Sequence, residues 1–322
     1  MRLSILDRSR TRAGHPDADG LTDSVDRAVR AEQLGYDRFW VAEHHAVPGI
    51  ASGSPAVLLA AIGAVTDRIR LGSGGVMLPH HQPLVVAEQF LMLAALHPGR
   101  IDLGLGRSLG FTAPVREALH DDRRDTFEHD LSDLRAHLDG DAAVTARPRS
   151  KGRIPMYVLA TRRGSAIAAR LGLPVVIGGP ILADPAVGGL LQTYRRNFRP
   201  SLGVAEPYVM VSLDATVAET DDAARELALP EAWAMARSRQ TGEFPPLESP
   251  EDIRGQAWTT QARARIAASL DSAIAGSHRT VQRALEQLAE RTGADELLAS
   301  TSTYDREALL ESDRLLREIV EA

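Results

Sequence analysis

The sequence predicts an α/β fold: a (β/α)8 barrel with an insertion near its C-terminal third. Three observations lead there. Strand-like and helix-like segments alternate along the 322 residues, in about eight pairs. Several of the strands are β-branched runs that are apolar on both faces, as a parallel sheet covered by helices requires. No linker-like stretch and no internal repeat divides the chain, so residues 1–322 are expected to form one domain.

The elements follow in order. Residues 2–6 (RLSIL) read as the first strand, and 21–34 have helical spacing, with Thr22 or Asp23 as cap and Gly35 just past the end. A second strand at 37–43 (DRFWVAE) precedes a helix opened by Ser54 and Pro55. The third pair is 69–78 (IRLGSGGVML) and 83–96, the fourth 101–106 (IDLGLG) and a polar helix over 114–139. Strands at 155–160, 174–178 and 208–217 are followed by helices at 163–171, 185–198 and 219–229. Residues 230–276 lack a clear period and read as an irregular insertion, with loop over 241–252. A helix from about 279, a strand at 296–300 and a helix from about 305 complete the set.

Composition narrows the function. The chain is 44% apolar and 25% charged, enough for a sizeable core. Its formal charge of −6, with Lys151 as the sole lysine and no basic cluster, argues against a nucleic-acid partner. With no cysteine there is no disulfide, thiolate nucleophile or Cys-ligated metal. No run reaches the roughly 18 apolar residues of a membrane span. The opening MRLSIL is too short for a signal peptide, so a cytoplasmic location is expected.

The chemistry is expected at the C-terminal ends of the strands. The second strand stops in Glu43-His44-His45, ahead of a Pro/Gly loop. Side chains alternate along a strand, so only one of the two histidines can face the barrel axis cleanly. A paired-histidine metal site is therefore disfavoured, as it is for His80-His81, which reads as loop polarity; a hydrogen-bonded pair tying down the loop is the plain alternative for 44–45. The run Gly72-Ser73-Gly74-Gly75 inside an apolar strand points to a bulge or to backbone lying close to a ligand. Arg107, among glycines, suits bidentate anion binding; a surface ion pair is its ordinary alternative. Gly104, Gly106 and Gly110 lack the spacing of a dinucleotide fingerprint. Thr161, Arg162, Arg163, Gly164 and Ser165, at a strand exit that opens a helix, combine hydroxyls, guanidinium groups and free N–H groups. They read as a phosphate site, although capping alone would account for Thr161 or Ser165.

Taken together, YDRFWVAEHH…PGIAS, IRLGSGGVMLPHHQPLVVAEQF, LHPGRIDLGLGRS and GSHRTVQRALEQLAERTGADELL resemble the bacterial luciferase-like flavin monooxygenases, in their single-chain branch. The likeness is dense over 36–110, clear over 154–176 and 276–318, and thin over 111–150 and 178–275. It implies a flavin-dependent monooxygenase that uses reduced FMN and O2, through a C4a-(hydro)peroxyflavin, to oxidise a small organic substrate. A separate NAD(P)H:flavin reductase would supply the reduced FMN, and the chain would form a homodimer through its second and third helices. The resemblance places His44 near the reactive face of the flavin as the catalytic residue. It puts a cis peptide at Gly74-Gly75 under the ring, and Arg107 and Thr161 at the phosphate. In such a site the protein excludes water and holds the flavin while the cofactor carries the reaction, and residues around 230–276 are expected to provide a lid.

Four departures bear on this. Ala160-Thr161-Arg162-Arg163 replaces a Gly-Ser-Ser type stretch, IGGPILADP replaces the usual aromatic or histidine residues after strand six, LDRSR stands for LDQSP at the N-terminus, and Gly106 occupies the place of a reactive cysteine. The strand-six change leaves the substrate open: an aldehyde, a ketone or an aromatic metabolite. Two alternatives stand beside the first reading. Arg162-Arg163 would also suit the longer anionic tail of the deazaflavin F420, giving a hydride-transfer oxidoreductase. A flavin-binding protein without catalysis is the other.

Overall fold

Eight parallel strands close on themselves in the computed structural model, which describes residues 1–110, 112–119, 125–150 and 152–321. In chain order the strands are β1 (Arg2–Asp7), β2 (Arg38–Val41), β3 (Arg70–Met77), β4 (Ile101–Gly106), β5 (Met156–Ala160), β6 (Val175–Gly178), β7 (Val209–Leu213), β8 (Ala215–Val217), β9 (Ile274–Gly276) and β10 (Glu296–Ala299). The barrel runs β1 to β7 in sequence and closes through β10 onto β1, while β8 and β9 pair apart from it. The helices are α1 (Asp19–Gln33), α2 (Pro55–Gly63), α3 (Pro83–Leu96), α4 (Ala113–Ala118), α5 (Phe127–Asp139), α6 (Arg162–Leu171), α7 (Val187–Asn197), α8 (Asp221–Thr241), α9 (Pro250–Gly255), α10 (Thr260–Ser272), α11 (His278–Thr292) and α12 (Arg306–Glu321). The barrel expected from the alternation is the fold observed.

Strand alternation sorts the core into two compartments. Leu3, Ile5, Phe39, Val41, Leu103, Leu105, Val175 and Val211 point outward into the large core beneath the helices. Leu6, Trp40, Ala42, Tyr157, Val176, Met210 and Leu298 point inward and fill the barrel as a layer of their own. Below that layer, at the strand starts, the axis is polar. Arg38 donates to Glu296 at 3.0 Å and to Asp102 at 2.6 Å, and the Tyr208 hydroxyl donates to Glu296 at 2.7 Å. Asp102 and Glu296 are fully buried, so losing a partner there would strand a charge without water. A second buried set, Arg27 with Asp7 at 3.0 Å and Asp313 at 2.8 Å, fastens α1 and α12 to the end of β1.

The structure differs from the sequence expectation in four places. Helix α1 starts at Asp19, ahead of Thr22 and Asp23, because Gly20 lies directly on the backbone of Ser9 and Arg10, where a Cβ would meet Ser9 O at 3.0 Å. The polar helix over 114–139 is two helices, α4 and α5. The strand read over 208–217 breaks at Asp214, whose carbonyl accepts from Ile274 N at 3.0 Å, so that 215–217 leave the barrel to pair with 274–276. The stretch 230–276 is not irregular: α8 continues through Pro230 to Thr241, and α9, α10 and β9 follow. A proline inside a helix forfeits one backbone bond. Here Trp233, Ala232 and Ala236 beyond it bury against Ile253 and Ile266 of α9 and α10, which supports the extra turns. Residues 242–249 are chiefly loop, as expected.

Candidate functional site

One pleat step above the inner apolar layer, the strands deliver two kinds of residue to the barrel mouth. On β3, β4 and β6 the axial positions are Gly74, Gly106 and Gly178, which project no side chain. On β1, β7 and the β10 exit they are Arg8, Ser212 and Ser300, all polar, with Asp214 a further step out at the β7 exit. The mouth therefore has a glycine-walled half and a charged half.

The glycine run on β3 does what a bulge requires. Its pairing with β4 shifts register between Ser73 and Val76, and the Gly74-Gly75 peptide is cis, the geometry that the resemblance implied. A Cβ on Gly75 would meet the Gly104 carbonyl at 2.8 Å, and one on Gly104 would meet Ser73 O at 2.1 Å. These glycines are needed for two backbones to approach, besides baring the wall above Leu6, which lies against Gly74.

Glu43, His44 and His45 at the β2 exit divide by face. Glu43 points away from the axis, buried, and its Oε1 accepts from His45 Nε2 and His81 Nε2, each at 2.7 Å, while Oε2 accepts from Met77 N at 3.2 Å. Burial opposes its ionisation, but the bonds from the two imidazoles outweigh that and bring its pKa down to about 2. An ionised carboxylate only accepts, so both imidazoles carry their proton on Nε2. Their potential ligand atoms lie within 4.8 Å of one another, as a metal would need, yet each is spent in these bonds. His81, read from sequence as loop polarity, thus belongs to a clamp holding the β2 exit to the β3 exit. The loop-tying reading holds for His45, not for a His44–His45 pair.

His44 falls on the axial side with Arg8 and Arg10. Burial comes first, and the two guanidinium charges add to it, so that its pKa drops to about 4 and the imidazole is neutral near pH 7. Its backbone N–H donates to Ser52 O at 3.0 Å, which closes the loop behind it.

At the opposite rim Arg107 and Arg163 converge. Arg107 lies 3.4 Å from Asp125 Oδ1, and Arg163 pairs with Asp125 Oδ2. Arg162 turns elsewhere, to Asp184. Thr161 caps α6 by position, with no side-chain bond to the helix, so its hydroxyl is not spent there. Ser165 is buried and donates to Arg162 O at 2.9 Å, and Gly164 sits where a Cβ would meet Ala160 at 3.1 Å. The structure thus brings Arg107, Thr161 and Arg163 to one rim and leaves Gly164 and Ser165 with roles inside α6.

The sequence reading missed four residues of the mouth. Arg8 pairs with Asp214 at 3.0 Å and Glu231 at 3.1 Å, and Arg10 pairs with Glu231 at 3.0 Å. Arg10 also donates to Gly49 O at 2.6 Å and Pro245 O at 3.2 Å. With Gly49 N donating to Phe244 O and Leu247 N to Thr11 O, this fastens the 242–249 loop over the β1 and β2 exits. The only signal in the sequence was the LDRSR departure, because the partners lie more than 200 residues away.

A flavin mononucleotide fits these residues on two counts: a wall whose β3, β4 and β6 positions project no side chain, to receive a planar ring, and two guanidinium groups sharing one carboxylate where a phosphate would sit.

Comparison with known proteins places the chain in a family. A sequence model of the family described as luciferase-like monooxygenase matches residues 1–296. A luciferase-like monooxygenase of Escherichia coli (strain K12) is 35% identical over 328 residues, covering 99% of this chain and 97% of that protein. N-acetyl-S-alkylcysteine monooxygenase of Bacillus subtilis (strain 168) is 42% identical over 211 residues, 62% of each chain. Among solved structures, apo-MsnO8 superposes with a TM-score of 0.89 at 34% identity, covering 99% of this chain and 97% of the other. Two more distant structures share the fold alone. A Baeyer–Villiger monooxygenase component from Pseudomonas putida in complex with FMN has a TM-score of 0.76 at 18% identity, over 99% and 97% of the two chains. An F420-dependent secondary alcohol dehydrogenase has 0.72 at 14%, over 99% and 98%. With the barrel, the glycine wall and the family match in agreement, this chain is an oxidoreductase that belongs to the luciferase-like monooxygenase family.

Proposed function

We propose that the chain is an FMN-dependent monooxygenase that oxidises a small organic substrate with O2, its reduced FMN coming from a separate NAD(P)H:flavin reductase. The observation that carries this is the convergence of Arg107 and Arg163 on Asp125 at the edge of a glycine-walled mouth. Reduced FMN, when bound, supplies the electrons that activate oxygen. The chain does the rest. Arg107, Arg163 and the Thr161 hydroxyl would take the phosphate in place of Asp125, and the wall at Gly74-Gly75 and Gly106 would seat the ring. Neutral His44 accepts or donates a proton at the reacting edge. Glu43, through His45 and His81, fixes the loop that carries His44. The 242–249 loop, pinned by Arg10, roofs the mouth against water. Since a Bacillus subtilis relative is named for N-acetyl-S-alkylcysteines, a small thioether acid such as N-acetyl-S-methylcysteine is the first substrate to try.

The exposed apolar side chains Val57 and Val65 of the α2 region and Val85, Met92 and Leu96 of α3 support the expected homodimer. Deazaflavin-dependent hydride transfer is the second reading, favoured by Arg162, a further cation at the β5 exit held by Asp184.

The test is an anaerobic titration with reduced FMN and, separately, with reduced F420, followed by oxygenated buffer and substrate. Tight reduced-FMN binding and oxygen-dependent product support the proposal. Preference for F420 with turnover independent of oxygen overturns it. Arg107→Ala is expected to weaken FMN about 10-fold or more, from the ~1.5–3 kcal/mol of a charge-assisted hydrogen bond, and to leave riboflavin binding unchanged. Equal losses for both ligands would remove Arg107 from the phosphate site.

A further inference from the structure

Arg8 keeps one donor that neither flavin binding nor folding uses up. It lies in the charged half of the mouth, one pleat step above Leu6, on the strand diametrically across the barrel from β5 and the Arg163 rim. Its guanidinium donates to Ser300 O at 2.6 Å and Asp214 Oδ1 at 3.0 Å, and Glu231 lies 3.1 Å away. Its Nε–H is buried and has no acceptor among the described residues.

The two carboxylates in contact with Arg8 are not equivalent. Glu231 is 8% exposed and is shared with Arg10, so it is fixed from two sides. Asp214, which accepts from Arg8 and from Ser300 Oγ at 2.8 Å, is the more open partner at 31% exposure, and burial around it opposes its negative charge. The set Arg8, Arg10, Asp214 and Glu231 is neutral as two cations and two anions. Two buried atoms of the set lack a hydrogen bond among the described residues, the Arg8 Nε–H and Glu231 Oε1, and a planar two-oxygen anion can use the first by taking the guanidinium in place of Asp214. A dianionic phosphate suits the place less well than a carboxylate, because it would set two negative charges beside Glu231 where a carboxylate sets one.

We propose that Arg8 is a specificity-determining residue that anchors a carboxylate of the substrate, so that this enzyme acts on small organic acids. This rests on the reading of the chain as an FMN-dependent monooxygenase. On that reading Arg107 and Arg163 at the β4–β5 rim would hold the flavin phosphate and the glycine wall would receive the ring, which leaves Arg8, across the barrel, to take the acid. Asp214 holds Arg8 in the resting protein and yields it when the acid binds.

The experiment is calorimetric titration of the FMN-loaded protein with N-acetyl-S-methylcysteine and with its primary amide. FMN affinity is measured separately, by fluorescence, on every variant. The acid is expected to bind at least 10-fold more tightly than the amide, and Arg8→Gln to bring the two together with FMN affinity unchanged. Asp214→Asn removes the competing charge and is expected to tighten the acid severalfold without helping the amide. A merely structural ion pair predicts the reverse, since its loss would loosen both ligands. Equal binding of acid and amide to the wild type, or weaker acid binding in Asp214→Asn, overturns the proposal. If Arg8→Gln does not fold, the wild-type and Asp214→Asn comparisons decide alone. Failure of the wild type to bind FMN at all is a failure of the flavin reading; intact FMN binding without acid preference is a failure of this inference only.

Discussion

Replacing His44 by glutamine tests the electrostatics of the mouth most directly. Burial and the charges of Arg8 and Arg10 bring the imidazole from its ordinary 6.5 to about 4. In the unfolded chain that imidazole takes up a proton as pH falls through 6.5, whereas in the native protein it stays neutral until about 4. The unfolded state therefore binds more protons across this window, and native stability falls as pH drops through it. At 1.36 kcal/mol per pH unit the full span corresponds to about 3 kcal/mol, and the part between pH 6.5 and 5 to about 2 kcal/mol. Glutamine at position 44 keeps a polar side chain of similar reach but does not titrate. Urea unfolding of both proteins at pH 7.5, 6.5 and 5 isolates the effect, because other titrating groups contribute to both and cancel in the difference. Wild type should lose about 2 kcal/mol relative to His44→Gln between pH 6.5 and 5. Stability curves that run parallel across this range would show that His44 titrates normally and that Arg8 and Arg10 exert no such field. Activity should follow suit: kcat/KM of the wild type should show no His44 limb near pH 6.5.

Glu43→Gln removes the charge that His45 and His81 share and should cost about 2–3 kcal/mol at pH 7, read by urea unfolding. Since the Glu43 pKa is lowered from 4.5 to about 2, its contribution is complete above pH 4.5 and is lost as pH falls through 2; a constant mutant deficit down to pH 2 would contradict the clamp. Glu296→Ala takes from buried Arg38 one of its two carboxylate partners, leaving Asp102, and from Tyr208 its acceptor at the foot of the barrel; it should cost about 1.5–3 kcal/mol, with FMN affinity unchanged in whatever remains folded. Light scattering at micromolar concentration should find a dimer that Met92→Lys on α3 dissociates; a wild-type monomer would refute the apolar-face argument.

The barrel was legible because its information is local. Each strand announces itself by apolar character on both faces, each helix by its period, and Gly35 and Ser54-Pro55 mark boundaries the structure keeps. The same locality identified the β2, β3 and β4 exits as the places where chemistry would lie, and the family resemblance named His44, Gly74-Gly75 and Arg107 within them. Helix α8 marks where local reading fails: Pro230 argues for a stop, and only burial of Trp233 against α9 and α10 carries the helix on.

Pairings between distant charges were not legible at all. Asp125 is one more acid in a polar stretch until the fold sets it between Arg107 and Arg163, and His81 is a loop histidine until Glu43 receives it. Arg8 and Glu231 are 223 positions apart, yet closure of the barrel sets them 3.1 Å apart. Sequence by itself determined the eight barrel strands and most of the helices between them, and hence that a barrel with an open mouth would form, because those preferences act over a few residues. Which charges face one another across the mouth, and what they can hold there, was decided only when the tertiary structure brought the strand ends together, because Coulomb and hydrogen-bond energies depend on distance in space and are blind to separation along the chain.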